Sequence, residues 1–371
     1  RICAKFDDDY WLDRDSSGEF PEDFYRAIAD GGWLGIAMPE QFGGASMGVT
    51  EAALMMHVVA KSSGAMSAAS AIHLNIFGPH PIVVFGNDEQ KQRWLPDLIK
   101  GRCKSCFGVT EADAGLNTTS IKTRADRTDS GYVIHGKKIW TSGAQVADKI
   151  MLLVRTTPKE ECSRATEGMT LLYTDLNRDY CDVRRIPKMG RAAVDSNEVF
   201  IDALPVPVED RIGEEGKGFR YLLHGINPER ILIAAGLVGL GRAALKRATD
   251  YAKERVVFDR PIGKNQGIQH PLAQSWAELE AANLMAFRAA QPYDRGEVCG
   301  AEANAAKYLA GEATFTACSN AVLTHGGMGY AKEYHVERYF REAIIHRLAP
   351  ITPHLILCYI AEKVLGLPKS Y

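Results

Sequence analysis

The stretch "INPERILIAAGLVGLGRAAL", Ile226–Leu245, sets one carboxylate, Glu229, ahead of an almost wholly apolar, glycine-dotted run. "GLGRAA", Gly239–Ala244, satisfies the glycine pattern of a dinucleotide-binding turn if Ala is allowed in last place. That turn, however, needs a strand before it and a βαβ unit around it. Here the apolar residues keep helical register on both sides, through "LKRATDYAKERVVF". The glycines are therefore expected to let helices pack closely. Asn227 and Pro228 read as an N-cap and a first-turn proline, which places Glu229 and Arg230 in the first helical turn. A glutamate there can answer the helix dipole or serve as a catalytic base, and position alone does not choose.

Working outward, helical spacing fills Pro21 to about Gly101, as in "DFYRAIADGGWLGIAM" and "QKQRWLPDLIKG", with Gly and Pro between segments. From about Phe107 the pattern shifts to short β-rich runs: "SCFGV", "SIKTRA", "YVIHGKKIWT", "KIMLLVRT", "GMTLLYTDL" and "NEVFIDALPVP". Helical periodicity returns over Phe219–Val257, His270–Ala289, Ala301–His325 and Pro353–Val364. The expected fold is α+β: an N-terminal helical domain (1–106), a central β-domain of sandwich or barrel-like form (107–213) and a C-terminal four-helix-bundle domain (214–371). No repeat or low-complexity segment interrupts this order, which places a ligand site where the units meet.

Composition narrows the function classes. A chain of 371 residues with 46% hydrophobic content buries a sizeable core. A formal net charge of -2, with acids and bases interleaved, leaves no footprint for nucleic acid or an anionic membrane. Eight scattered cysteines, no apolar run near the roughly 20 residues of a membrane span and no secretory signal point to a reducing, soluble compartment, not a secreted one. The "NTT" sequon at Asn117 has no meaning there. Cys103 and Cys106 have redox-motif spacing but lack the strand-then-helix context of such a site. The chain opens on Arg1, so a preceding segment is expected. No metal-ligand set is expected.

Three further segments give Glu229 its weight: "FGVTEADAG" (Phe107–Gly115), "KKIWTSGA" (Lys137–Ala144) and "ERVVFDRPIGKNQGIQHPLA" (Glu254–Ala273). With "HGGMGY" (His325–Tyr330) and "ERYFREA" (Glu337–Ala343), in this order, the whole chain resembles the acyl-CoA dehydrogenase family. The resemblance implies a flavoenzyme with FAD between the β-domain and the C-terminal helices of its own and a neighbouring subunit. By motif match, Val109, Thr110 and Gly115 would meet the flavin ring and pyrophosphate, Trp140 would pack by the isoalloxazine, and Thr141 would hydrogen-bond near its N5. Arg255, Phe258 and Gln266 would reach the partner subunit's FAD, and Gly327 and Thr352 would touch the cofactor. The turn departs from the family at Leu116 and Asn117, and Leu323 stands where the family commonly has Gln.

The reaction implied takes an α-proton from an acyl-CoA thioester while the β-hydride goes to flavin N5, giving the trans-2-enoyl-CoA. Many members carry the base near the C-terminus; here "LAPIT", Leu348–Thr352, puts Pro350 at that place. Branched-chain and long-chain members carry it one residue before an arginine on the long helix, which is Glu229 followed by Arg230. Glu229 is therefore the expected base, with Arg230 and Asn227 on the substrate side. Proline has no N–H, so either the loop shifts and Ile351 supplies the amide with which the family stabilises the thioester oxygen, or the thioester is held less strongly and the reaction is not the standard one. The resemblance further implies an electron-transfer flavoprotein as acceptor and a homodimer or homotetramer, in a bacterial cytoplasm or mitochondrial matrix. Alternatives on the same fold are an acyl-CoA oxidase, a nitroalkane-type oxidase, or a flavin- or CoA-binding protein without turnover.

Overall fold

The apolar periodicities resolve into helices, then strands, then helices in a computed structural model that describes residues 1–370. The first unit contains α1 (Asp8–Ser17), α2 (Glu22–Asp30), α3 (Val49–Ala60), α4 (Ala65–Phe77), α5 (His80–Phe85) and α6 (Asp88–Ile99). α1 escapes the periodicity because "DDYWLDRDSS" offers little but Trp11 to the core. Ala65–Phe85, spanning α4 and α5, is long and apolar enough to cross a membrane, a length the sequence reading missed. It is largely buried, as a core helix is.

The middle unit is one eight-stranded sheet: β1 (Ser105–Gly108), β2 (Arg124–Arg127), β3 (Gly131–Ser142), β4 (Lys149–Arg155), β5 (Met169–Asp175), β6 (Cys181–Arg185), β7 (Ser196–Pro207) and β8 (Arg211–Ile212). The order is β6-β7-β3-β2-β4-β5-β8, with β1 parallel to β4. Both faces of the sheet are covered. Ile150, Leu152 and Val154 of β4 share one core with Ile134 of β3 and Val199 and Ile201 of β7, while Met151 and Leu153 face Trp94, Leu95 and Leu98 of α6. "SIKTRA" forms a strand only from Arg124, because the Glu111 carboxylate takes the backbone N–H groups of Lys122 and Thr123 that a longer strand would use. β6 was not foreseen, since "CDVRR" has only Cys181 and Val183 to alternate against its charges.

The last unit contains α7 (Gly218–His224), α8 (Ile226–Glu254), the small hairpin β9 (Val256–Val257) and β10 (Arg260–Pro261), α9 (Gln266–Asp294), α10 (Gly300–His325), α11 (Val336–Ala343) and α12 (Pro353–Tyr359). The expected helix from Phe219 is broken at Gly225, which ends α7 and begins α8. α8 is the shared wall of the molecule: Leu237 and Leu240 lie in one core with Met56 of α3, Leu279 of α9 and Ala310 and Ala313 of α10. Close approach is built in. A Cβ on Gly239 would sit 2.3 Å from the His57 carbonyl oxygen, and one on Gly241 would sit 2.4 Å from the Leu279 side chain.

The "GLGRAA" glycines thus serve helix packing inside α8. Gly239→Ala is expected to destabilise by about 1–3 kcal/mol through overpacking, outweighing the roughly 1 kcal/mol that alanine gains in a helix. Urea unfolding of the native and variant proteins measures this, and an unchanged midpoint would refute the close contact.

Candidate active site

The site is built around the start of α8. Gly225 is its N-cap and offers no side-chain cap, so Asn227 and Pro228 are helical residues, not the N-cap and N1 pair that the sequence suggested. Glu229 nonetheless lies in the first turn, its N–H bonded to the Gly225 carbonyl at 3.2 Å. Its carboxylate has no hydrogen-bond or ion-pair partner among the described residues. Some of its surface remains accessible, yet protein crowds the carboxyl itself, and burial pushes it up to about 7 against the opposing pull of Arg230 and Lys307. The next residue, Arg230, donates to Asn227 Oδ1 at 3.3 Å and leaves its buried Nε unpartnered. Burial pulls its guanidinium below the ordinary arginine value.

Lys307 is the cation that the sequence reading missed. It is buried on α10, within electrostatic reach of both Glu229 and Arg230, and burial brings it down to about 8, with Arg230 acting in the same direction. Its ammonium donates to the His346 carbonyl at 2.6 Å and the Ile351 carbonyl at 2.8 Å. One side chain therefore fastens the segment that carries Pro350 beside Glu229. The signal was present: Lys307 interrupts the buried alanines Ala303, Ala306 and Ala310, where a charge has no reason to stand unless it is paired. Among the described residues the Ile351 N–H meets no acceptor, while the Thr352 hydroxyl caps α12 by accepting from Leu355 N–H at 3.4 Å.

The β-domain carries further expected cofactor residues. β3 loses register against β7 between Lys138 and Thr141, and there Trp140 takes a left-handed backbone (φ 60°). The irregularity re-aims the indole outward, where 55% of Trp140 is exposed, and leaves buried Thr141 Oγ1 without a partner. The "VTEADAG" turn is held from beneath. Lys138 donates to Val109 O at 3.1 Å and to Glu111 Oε1 at 2.9 Å, Glu111 accepts the Thr123 hydroxyl at 2.6 Å, and Ile139 N–H meets the Thr110 carbonyl at 2.9 Å. Burial alone would raise Glu111, but Lys138 and these hydrogen bonds outweigh it and hold the carboxyl below its ordinary value. Burial brings Lys138 down to about 8 despite Glu111. The pair is therefore ionised at neutral pH.

The remaining expected cofactor residues lie open. A Cβ on Gly115 or Gly327 would meet nothing within 4 Å. Phe258 is 92% exposed with a left-handed backbone, Arg255 and Gln266 are exposed, and so are Leu116 and Leu323 in place of the family's polar residues. These surfaces suit a planar, partly apolar cofactor. An outward indole, an unpartnered hydroxyl beneath it and two glycines with free space fit a flavin better than they fit bulk water. Cys103 and Cys106 are free thiols, and burial raises both, Cys103 to about 11, which disfavours the reactive thiolate.

Comparison with known proteins identifies the family. The N-terminal, middle and C-terminal domain profiles of acyl-CoA dehydrogenases match residues 1–102, 106–204 and 216–350. The acyl-CoA dehydrogenase fadE12 of Mycobacterium bovis is 36% identical over 99% of this chain and 94% of its own length. Butyryl-CoA dehydrogenase from Megasphaera elsdenii superposes with a TM-score of 0.90 at 28% identity, covering 95% of this chain and 92% of its own. The FAD complex of PigA reaches 0.92 at 26% identity, covering 99% and 94%. The chain belongs to the acyl-CoA dehydrogenase family of FAD-dependent oxidoreductases.

Proposed function

We propose that Glu229 is the base that takes the α-proton of an acyl-CoA, and that the segment fastened by Lys307 presents the thioester to it. The supporting observation is a crowded carboxylate with no bonded partner, poised at about 7 on the wall that the substrate would share. A base of that pKa is deprotonated enough to accept a proton near neutrality and basic enough to hold it. Bound FAD supplies the hydride acceptor for the β-carbon. Val109, Thr110, Gly115, Trp140, Thr141, Gly327 and Thr352 would hold that cofactor from this chain, and Arg255, Phe258 and Gln266 would hold the one in a neighbouring subunit.

Loss of the amide at Pro350 leaves the Ile351 N–H to stabilise the enolate-like thioester oxygen. Lys307 positions that donor by holding the Ile351 carbonyl, and Arg230 with Asn227 braces the turn that carries the base. Exposed Phe258, Tyr330 (90%) and Leu323 (74%) favour coverage by further copies of the chain, as a homodimer or homotetramer. An electron-transfer flavoprotein as acceptor, a place in β-oxidation and a bacterial cytoplasmic setting complete the reading, the last supported by the mycobacterial relative.

Glu229→Gln is expected to retain yellow FAD and to slow anaerobic flavin bleaching by an acyl-CoA about 10²–10⁴-fold, the usual contribution of a positioned base. Full-rate bleaching by the variant would refute the assignment. In the native enzyme, kcat/KM is expected to rise with pH through a limb near 7, because the carboxylate form is the active one. Stability runs the opposite way. A carboxyl raised on folding contributes stability that is fully present below its unfolded value and lost as pH rises through about 7. Glu229→Gln should therefore gain stability relative to the native protein above pH 7, and parallel unfolding curves at low and high pH would contradict this.

Lys138→Met is expected to lose about 3–5 kcal/mol by stranding the buried Glu111 charge and to release FAD on gel filtration. The double variant with Glu111→Gln should recover much of the stability. Equal stability of the single and double variants would show that the pair does not hold the turn.

A further inference from the structure

α4 carries Phe77, His73 and Ser70 on one face, at spacings of four and then three residues. The Phe77 end touches the start of α8: a Cβ on Gly225 would lie 3.5 Å from the Phe77 ring. One turn away the His73 ring stacks on Phe77 at 5.1 Å, and its buried Nε2 has no partner. One turn further, Ser70 Oγ accepts a hydrogen bond from Arg191 Nη1 at 3.1 Å. Arg191 projects from the segment between β6 and β7 with a left-handed backbone (φ 55°). His346 interacts electrostatically with both Arg191 and His73; it is 5% exposed, and neither ring nitrogen has a partner. The His346 carbonyl is the one that Lys307 holds, which ties this cluster to the Glu229 end.

Charge is unbalanced here. Arg191 forms no salt bridge among the described residues, and the acid it feels most, Glu342, is already engaged by Arg338, by the Ser67 hydroxyl and by the N–H groups of Met66 and Ser67. Neighbouring Lys188 donates to the Val194 carbonyl and the Ser196 hydroxyl, not to a carboxylate. Burial pulls Arg191 down against Glu342, and burial with the Arg191 charge brings Lys188 down to about 7 although Asp195 and Glu342 oppose it. A guanidinium bonded to the Ser70 hydroxyl stands within electrostatic reach of the neutral His73 and His346 imidazoles, whose buried His73 Nε2, His346 Nδ1 and His346 Nε2 find no partner among the described residues. A chain ending in a methyl group would leave those ring nitrogens unsatisfied, which is costly in a low-dielectric interior.

We propose that Arg191, His73, His346 and Ser70 form a subsite at the far end of the acyl site that receives a carboxylate, so the preferred substrate is an ω-carboxyacyl-CoA. This rests on the reading of the Glu229 wall as the acyl site. The carboxylate would take the forked hydrogen bonds for which a guanidinium is shaped, with an imidazole N–H completing its shell.

The test is calorimetric binding of matched ω-carboxyacyl-CoA and alkanoyl-CoA pairs of increasing length to FAD-loaded Glu229→Gln, with and without Arg191→Met. At the best-fitting length the carboxylated ligand is expected to bind about 10-fold more tightly or better, and Arg191→Met to abolish or invert that preference while alkanoyl-CoA binding stays within a few-fold. Tighter alkanoyl binding at every length overturns the subsite and assigns the polar cluster to ordered water, with the acyl-CoA reading intact. The Glu229→Gln ratio decides this even if Arg191→Met fails to fold. Absence of binding by either ligand class overturns both readings. Flavin bleaching in Glu229→Gln would overturn only the base assignment and leave the affinity ratio to judge the subsite.

Discussion

One uncompensated carboxylate organises the rest of this molecule. Glu229 stands in the first turn of α8, where the helix dipole favours the anion and would lower its pKa. Burial acts in the opposite direction and prevails, placing the group near neutrality. A side chain with this environment is costly for stability and has no structural partner to justify it. That cost is intelligible where the group must accept a proton, and it explains why the neighbouring cations are kept close but not bonded. Arg230 turns to Asn227, and Lys307 turns to two backbone carbonyls.

The architecture serves this arrangement. α8 packs on α3 and α9 so closely that neither Gly239 nor Gly241 has room for a Cβ, and it shares one core with α10, so the first turn is anchored to a stiff core. The sheet contributes its own fixed element: the Lys138–Glu111 pair beneath the "VTEADAG" turn, next to the break in β3 that turns Trp140 outward. Lys307 in turn ties the segment that carries Pro350 to α10.

Much of this was legible in the sequence. The 3.6-residue periodicity across Ile226–Leu245 excluded a nucleotide-binding turn, and the joint presence of "TEADAG", "IWTSG" and "HGGMGY" identified the family. The helix start was misread by a residue or two because Gly225 breaks α7 from α8 with no capping side chain to announce it. Lys307, Lys138 and Arg191 were not foreseen, because their importance lies in what they face across the fold, and no local pattern records that. Leu116, Leu323 and Phe258 were legible as residues, but not their exposure in the fold.

The central claim is that Glu229 moves the α-proton. Its most direct measurement is exchange of the substrate α-hydrogens with deuterium oxide, followed by proton NMR on the FAD-loaded enzyme with a bound acyl-CoA under anaerobic conditions. The account predicts exchange by the native protein, gaining rate as pH rises through about 7, and none above background in Glu229→Gln with binding retained. Undiminished exchange in that variant would contradict it and place the base elsewhere in the site.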